Sequence, residues 1–329
     1  MISVFITSCN EEKYLNKLLH DIEKQKFGNF EILLLEAGKN QENQARESLK
    51  SRASSLKYFH QPGATRTYSL NQLIAKASGD LLIRLDARTH IEDSYIRKVV
   101  ELSETTGVAN VGGIMWPVGE SCDQQVIAEL MKSPWVFGGG KFRKAGFRGE
   151  AETVYLGAFR RRDITLSEWY DSKHPQISED SDLNYRLRKL GKKVFIDSSI
   201  VAYHYPRENL SKFFRLCFNY GLGRGLFILK HKTFLAPRQF IFVTGALGFA
   251  VLGGASLLSP FCKNLVFLLI VIYFGFVLVL SFEQKVPFGH RKLFFLGIMG
   301  AHVCWLGGLL SSPIQYFKDV RLSNSPKNL

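Results

Sequence analysis

Cysteine is scarce and carries no pattern. The chain has five in 329 residues (Cys9, Cys122, Cys217, Cys262 and Cys304), and none stands at a paired spacing. That excludes a disulfide framework and a cysteine-based zinc site. Acidic residues are also short, 29 against 43 Lys and Arg, for a formal charge of +14. The deficit is local: Arg207, Lys212, Arg215, Arg224, Lys230, Lys232 and Arg238 have only Glu208 among them. These cations crowd against an apolar region, which excludes nucleic acid as a partner and fits an anionic lipid membrane, where each gains about 1 kcal/mol. No internal repeat and no low-complexity segment is present. No basic stretch leads into Ile2-Ser3-Val4-Phe5-Ile6, so no secretory leader is expected and the first part of the chain is expected in the cytoplasm.

What is there is a sharp change of texture. About 235 mixed residues precede three apolar runs, approximately Gln239–Leu258, Asn264–Phe282 and Leu293–Leu310. Each is long enough for a bilayer core of about 30 Å at about 1.5 Å per helical residue. The expected organisation is a cytoplasmic catalytic domain over 1–206, a basic amphipathic juxtamembrane segment over 207–238 and a transmembrane region of about three spans over 239–312. A short tail over 313–329 completes it. The expected location is the cytoplasmic (inner) membrane, multi-pass. Lys285, Arg291 and Lys292 place the loop between spans two and three on the cytoplasmic side, with Lys263 outside. Three crossings would then put the tail outside, against the charges of Lys318, Arg321 and Lys327; an interfacial or re-entrant segment would remove the conflict.

The first 115 residues alternate short apolar runs with helical patterns. Strands are expected over Ser3–Thr7, Phe30–Leu35, Lys57–His60, Asp80–Leu85 and Val108–Trp116. Leu15, Leu18, Leu19 and Ile22 recur at helical spacing, as do Leu70, Leu73, Ile74 and Ala77. The fold class is α/β, a mixed, mostly parallel sheet with helices on both faces, followed by C-terminal transmembrane helices. Ligands in such sheets bind beyond the carboxyl ends of the strands, which puts Thr7, Asn10, Glu36 and Asp86 on one rim. Further on, Gly138–Lys144 reads as a mobile basic loop, either a surface connection or a substrate lid. Thr153–Phe159 and Val194–Ile196 read as strands. Ser178–Lys189 reads as a helix with Ser178 as N-cap, Gly191 as stop and Leu183, Leu187 and Leu190 buried. Asn209–Lys232 reads as an amphipathic stretch suited to a membrane surface.

Two acidic features stand out. Asp86 ends the apolar run Leu81–Leu85, where packing needs no charge; it caps the next loop or serves a ligand. Glu179-Asp180-Ser181-Asp182 opens a helix. Carboxylates in a first turn gain about 0.3–1 kcal/mol from the helix dipole, and Asp182 stands four residues before Arg186, so a structural reading is open beside a catalytic one.

Several segments, taken in order, resemble the family 2 glycosyltransferases. Ile2–Glu12 resembles their opening VSVIIPTYNEE, and Phe30–Glu36 their second strand with its base-contacting acid. Ser78-Gly79-Asp80 through Arg84-Leu85-Asp86-Ala87-Arg88 resembles the DxD strand, and Ser178–Leu187 the helix of the catalytic carboxylate. The likeness covers about Met1 to Gly225. It is greatest to the succinoglycan-type exopolysaccharide glucosyltransferases, through Arg84–Ala87, Thr153–Arg161 and Tyr220–Gly225. It implies a GT-A fold and inverting transfer from a nucleotide-diphosphate sugar to an acceptor hydroxyl. Asp180 would be the catalytic base, with Glu179 and Asp182 on the acceptor side. Thr7, Asn10, Glu11, Glu36, Asp86, Arg88 and Arg224 would bind the donor. Asp86 with His204 would hold a divalent cation, Mn²⁺ or Mg²⁺.

Departures qualify the likeness. Arg88 replaces the second DxD acid, leaving a cation to Asp86 with His204 or His90, to weak binding, or to Arg88 as a substitute positive charge. Cys9 stands where an aromatic ring often packs, Glu36 is longer than the usual Asp, and QxxRW is absent as such. The expected activity moves a sugar, glucose first, from a UDP-sugar to a polyprenyl-diphosphate-linked acceptor in bacterial surface or exopolysaccharide biosynthesis. Alternatives are direct transfer to polyprenyl phosphate, or a weakly catalytic scaffold joining other polysaccharide-assembly proteins.

Overall fold

The computed structural model describes residues 1–39, 56–172, 178–283, 286 and 288–324. Lys285 and Lys327, used above to orient the membrane segments, lie outside the described residues. The chain divides into two compact units: Met1–Glu120 with Phe137–Pro206, and Ser121–Val136 with Arg207–Leu329.

The first unit is built on one sheet. Its strands are β1 (Ile2–Ser8), β2 (Phe30–Glu36), β3 (Leu56–His60), β4 (Leu81–Asp86), β5 (Thr89–Ile91), β6 (Asn110–Pro117), β7 (Arg148–Glu150), β8 (Tyr155–Arg160) and β9 (Val194–His204). Their order is β3-β2-β1-β4-β8-β6-β9-β5, with β7 against β9. β1 to β4 run parallel, while β8 is antiparallel to both β4 and β6. The helices are α1 (Glu12–Glu23), α2 (Arg66–Lys76), α3 (Tyr95–Thr106), α5 (Arg161–Leu166) and α6 (Glu179–Lys189). The ninth strand runs well beyond the expected Val194–Ile196, because a register shift against β6 lets pairing resume at Val201.

Period-two alternation divides the core. Val4, Ile6, Ile83 and Leu85 face α1 and α3, whose Leu15, Leu18, Ile22 and Val99 are buried with them. Phe5, Leu33, Leu35 and Leu82 face α2 and α6, through Leu70, Leu73, Ile74, Leu183 and Leu187. Each fully buried Leu or Ile contributes about 1.5–3 kcal/mol of apolar transfer. Two details of α6 depart from expectation. Ser178 adopts a left-handed backbone and its side chain makes no capping bond, and Leu190 is 51% exposed at the helix end. Gly191 stops the helix at φ +73°. The loop over Gly138–Lys144 forms a short 3₁₀ turn, with Arg143 against the Phe137 and Phe142 rings.

The second unit contains α4 (Cys122–Lys132), α7 (Leu210–His231), α8 (Pro237–Ala255), α9 (Pro260–Glu283) and α10 (Arg291–Asn324). Ser121 and Gln124 form a capping box that starts α4, a helix not legible in the sequence pattern. Helices α8, α9 and α10 are each long and apolar enough to cross a membrane. The last continues through Pro313, past the expected end of the apolar region. Along α7, the glycines of Tyr220–Gly225 serve close approach: a Cβ at Gly221 would lie 1.9 Å from the Trp305 carbonyl oxygen of α10.

Candidate active site

The sheet register assembles the rim. Thr7 of β1 pairs with Leu35 of β2 and Asp86 of β4, and Ser8 pairs with Glu36. The carboxyl ends of three parallel strands therefore present Asp86, Glu36 and the loop through Asn10 and Glu11 side by side.

Glu36 is buried, with its carboxylate held in a backbone cradle. One oxygen, Oε1, accepts from the Asn10 amide at 3.1 Å and from the Gly38 amide at 2.8 Å. A Cβ at Gly38 would come within 2.7 Å of that oxygen and 2.3 Å of Asn10 Oδ1, so only glycine leaves the cradle open. The other oxygen, Oε2, is buried without a partner among the described residues. A buried acceptor left unpaired costs about 1–3 kcal/mol, which an N–H donor from a ligand would relieve.

Asp86 lies in a four-charge knot. Period two puts Arg84 on the sheet face that already carries Leu82, toward the first turns of α2 and α6, which supply Arg66 and Glu179. Arg84 Nε donates to Asp86 Oδ1 at 3.2 Å and its Nη2 to Glu179 Oε1 at 2.7 Å. Arg66 bridges the same two acids, reaching Asp86 Oδ2 through Nη2 and lying 3.0 Å from Glu179 Oε1 through Nε. Arg84 also donates to the buried Tyr170 hydroxyl at 3.4 Å. Burial disfavours the charge on Asp86, but Arg66 and Arg84 outweigh it and hold the carboxyl well below the usual carboxylate range.

Among the described residues, Asp180 is the acid that this knot leaves without a cationic partner. Burial, then the neighbouring Glu179 charge, push its pKa up to about 6, with Arg84 and Arg66 opposing. The Ser181 amide donates to its Oδ1 at 2.8 Å. The first turn of α6 thus separates the roles of its acids: Glu179 is consumed by two arginines, while Asp180 titrates where a general base is useful.

The remaining expected residues have other duties. Asp182 is fully buried and accepts from Arg186 Nε at 2.9 Å. Arg186 in turn holds the carbonyls of Ser167 and Trp169, beside the left-handed pair Glu168 and Trp169. Of the two acids expected on the acceptor side, Glu179 meets Arg66 and Arg84 through Oε1 and Asp182 meets Arg186 through Oδ2. Arg88 is turned inward: it donates to Glu11 at 2.8 Å, to the Tyr205 carbonyl at 2.9 Å and to the Pro206 carbonyl, over the Tyr14 ring. It therefore ties the Glu11 loop to the end of β9 rather than replacing the second DxD acid as a site charge. Arg224 lies on α7 in the second unit, where its Nε donates to Gln239 at 3.0 Å.

The donor set does not build a cation site. β5 pairs Thr89 with His204, but the His204 Nδ1 is 3.0 Å from the Tyr155 hydroxyl. His90 Nδ1 is engaged by Asp21 at 2.7 Å. Among the described residues no group of three His, Cys, Asp or Glu side chains is placed to hold a metal, and Asp86 has both oxygens on arginines. The expected Asp86–His204 pair is therefore not formed by these side chains. What sequence reasoning missed is Arg66 and the role of Arg84; the only signal was a cation at position 84 inside an apolar strand. A cavity of about 700 Å³ lies at the other end of β1 and β4, beside Met1 and Asp80, away from these carboxylates.

Residues 3–166 match the family described as glycosyl transferase family 2. The chain is 28% identical over 258 residues, 74% of its length and 79% of the relative's, to a Methanococcus voltae enzyme. That enzyme is named dolichyl N-acetyl-alpha-D-glucosaminyl phosphate 3-beta-D-2,3-diacetamido-2,3-dideoxy-beta-D-glucuronosyltransferase. It is 30% identical over 186 residues, 56% of each chain, to the succinoglycan biosynthesis protein ExoA of Rhizobium meliloti. In fold it is similar to a Pyrobaculum calidifontis mannosyltransferase in complex with GDP-Man and Mn²⁺, at TM-score 0.59, 14% identity and coverage of 93% and 86%. TarS of S. aureus in complex with UDP-GlcNAc matches at TM-score 0.50 and 15% identity, over 95% and 92%. The rim of acids at the ends of β1, β2 and β4 and the helix carrying Asp180 stand on that shared fold, and residues 3–166 form a family 2 glycosyltransferase domain.

Proposed function

We propose that the chain transfers a sugar from a UDP-sugar, with glucose as the first candidate, to a polyprenyl-diphosphate-linked acceptor at the cytoplasmic face of a membrane. One observation carries the reading: among the described residues Asp180 is the acid of the α6 first turn not tied to a cationic partner, and its pKa is pushed up to about 6. In this mechanism Asp180 takes the proton from the acceptor hydroxyl as that oxygen attacks the anomeric carbon. The bond to the diphosphate breaks on the opposite face, and the nucleoside diphosphate leaves with the bonding pair. Charge gathering on the diphosphate is met by Arg66 and Arg84, fixed close to Asp86 and needing little reorganisation. Glu36 Oε2 and the Gly38 cradle fit a base N–H of the donor. Thr7, Asn10 and Glu11 shape the same pocket, and Glu11 is held in place by Arg88.

The membrane part of the reading rests on three apolar helices, and on the name of the Methanococcus voltae relative, which specifies a dolichyl-linked acceptor for that protein. The test is transfer by detergent-solubilised full chain from a panel of UDP- and GDP-sugars to extracted lipid-linked acceptors, with Mn²⁺, Mg²⁺ or EDTA. Transfer from one donor, abolished in Asp180→Asn while donor binding persists, is the expected result. Equal activity of Asp180→Asn would overturn the assignment of the base. Activity that survives EDTA would leave the diphosphate charge to Arg66 and Arg84.

A further inference from the structure

The segment Thr153–Arg161 takes no part in proton transfer or donor binding, yet it closes on the helix that carries Asp180. Asn184, one helical turn beyond Asp180, is 1% exposed and sits in a chain of buried amides. Its Oδ1 accepts from Asn110 Nδ2 of β6 at 2.6 Å, and its Nδ2 donates to Thr153 Oγ1, just ahead of β8, at 2.9 Å. Asn110 is fully buried, and its own Oδ1 has no partner among the described residues. Gly157 of β8 makes room for this amide: a Cβ there would lie 2.5 Å from Oδ1 and 2.9 Å from Nδ2. Apolar side chains of the same volume would fill the space without the cost of an unpaired acceptor. What they would not do is select one orientation of the helix, which hydrogen bonds between buried amides do.

Helix geometry says which edge of α6 this chain holds. Leu183 and Leu187 form the stripe buried with Phe5 and Leu82 of the sheet. At about 3.6 residues per turn, Glu179, Asp182 and Arg186 stand on one side of that stripe. Asp180 and Asn184 stand together on the other side, about 40° apart around the axis. The first edge is bound at several points: Glu179 by Arg66 and Arg84, Asp182 by Arg186, and Arg186 by the carbonyls of Ser167 and Trp169. The start of the helix adds no side-chain cap at Ser178. On the Asp180 edge it is Asn184 that ties the helix to β6 and to Thr153. Without that tie α6 is held on one edge and can roll about its leucine stripe. A roll of about 10° carries a carboxylate about 5 Å from the axis through about 1 Å. Misplacement of that size costs about 10²-fold in rate.

We infer that Asn184, Asn110 and Thr153 are positioning residues for sugar transfer that act through Asp180. Their amide chain fixes the roll of α6 and so holds the Asp180 carboxylate at the acceptor hydroxyl. Gly157 serves the same end by leaving space for the Asn110 amide. The inference rests on the reading of Asp180 as the base. It concerns the rate of the chemical step and not donor affinity, since the proposed donor site lies at the ends of β1, β2 and β4.

The test uses the detergent-solubilised full chain, the UDP-sugar that supports transfer and extracted lipid-linked acceptors. Asn184→Leu would strand the Asn110 amide as well. Thr153→Val is the cleaner change, because it removes one acceptor at constant volume and leaves the Asn110–Asn184 bond in place; Thr153→Ser keeps the hydroxyl. Thr153→Val is expected to lower kcat about tenfold or more, with donor KM within about twofold of the parent and an unchanged near-ultraviolet circular dichroism spectrum. Thr153→Ser should recover kcat to within about threefold of the parent. In an Asp180→Asn background Thr153→Val should slow transfer no further, since the group that it positions is gone. A kcat within about twofold of the parent in Thr153→Val would overturn the inference, as would loss of its spectrum or a Thr153→Ser no faster than Thr153→Val. Equal slowing of the parent and of Asp180→Asn by Thr153→Val would also overturn it, by showing that the bond does not act through the base. Failure of the base reading is seen separately, as full activity in Asp180→Asn alone.

Discussion

The two units invert each other. In the first, charge is buried: Glu36, Arg84, Arg88, Glu179 and Asp182 are all under 10% exposed, and each has a cationic, anionic or backbone partner. In the second, apolar surface is turned outward, with Leu257 and Leu258 at 87% and 90% exposed. The first unit uses paired charges to set the titration of one acid. The second uses glycine to bring two helix backbones into contact. The difference shows that burial by itself does not mark function. What marks it is a group whose surroundings oppose its ordinary state, as those of Asp180 and Glu36 do.

The largest effect should come from removing the base. Asp180→Asn is expected to lower turnover by about 10²–10⁴-fold with donor affinity unchanged, read by transfer rate and by calorimetric titration with the donor. If both fall together, Asp180 belongs to the donor site and the contrast with Glu36 disappears. Next in size is Arg84→Met, which leaves both Glu179 and Asp86 to Arg66 alone. A loss of about 3–5 kcal/mol is expected for breaking a buried pair from one side, read by denaturation of the detergent-solubilised chain.

The seam between α7 and α10 should respond through volume rather than charge. Gly308→Leu sets side-chain atoms where a Cβ alone would lie 1.9 Å from the Phe218 carbonyl oxygen. A cost of about 1–3 kcal/mol is expected, visible as lower yield and earlier unfolding of the second unit. Insensitivity to this change would mean that the seam has slack and that its glycines are not there for approach.

A smaller and graded effect is pH. Because the pKa of Asp180 is raised to about 6, the fraction in the base form rises through that value, and kcat/KM should fall about tenfold per pH unit below it. The stability contribution has the opposite sense. The folded state holds this proton more tightly than the unfolded chain, whose carboxyl titrates near 3.9, so stability declines as pH rises between about 4 and 6 and is flat above. An acid limb near 4 would show that Asp180 is solvated like an ordinary surface acid. Smallest of all, Leu258→Ser in detergent should change stability by no more than about 0.5 kcal/mol, since that side chain packs on little within the protein.

Much of the first unit was legible because its strands are short apolar runs with a clear period. β1, β2 and β4 sit within a residue or two of where the pattern puts them, and the rim follows from parallel register. The identity of the partners was not legible. Arg66 and Glu179 are more than a hundred residues apart, and nothing local in either says that the two pair beside Arg84 and Asp86. Arg88 illustrates the reverse: its place in the motif suggested a charge aimed at the site, and the fold turned it toward Glu11 and the end of β9.

From the sequence alone came the α/β class, the order of its motifs, the acid at 180 and three segments apolar enough for a membrane, since each is set by local periodicity, composition or spacing along the chain. Which acid stays unpaired was decided by tertiary structure, as was the presence of α4 beside the apolar helices and the packing of α10 on a basic neighbour. Charge neutralisation and helix packing act through space between distant residues, and pairing at that distance is a property of the folded chain that no window along it contains.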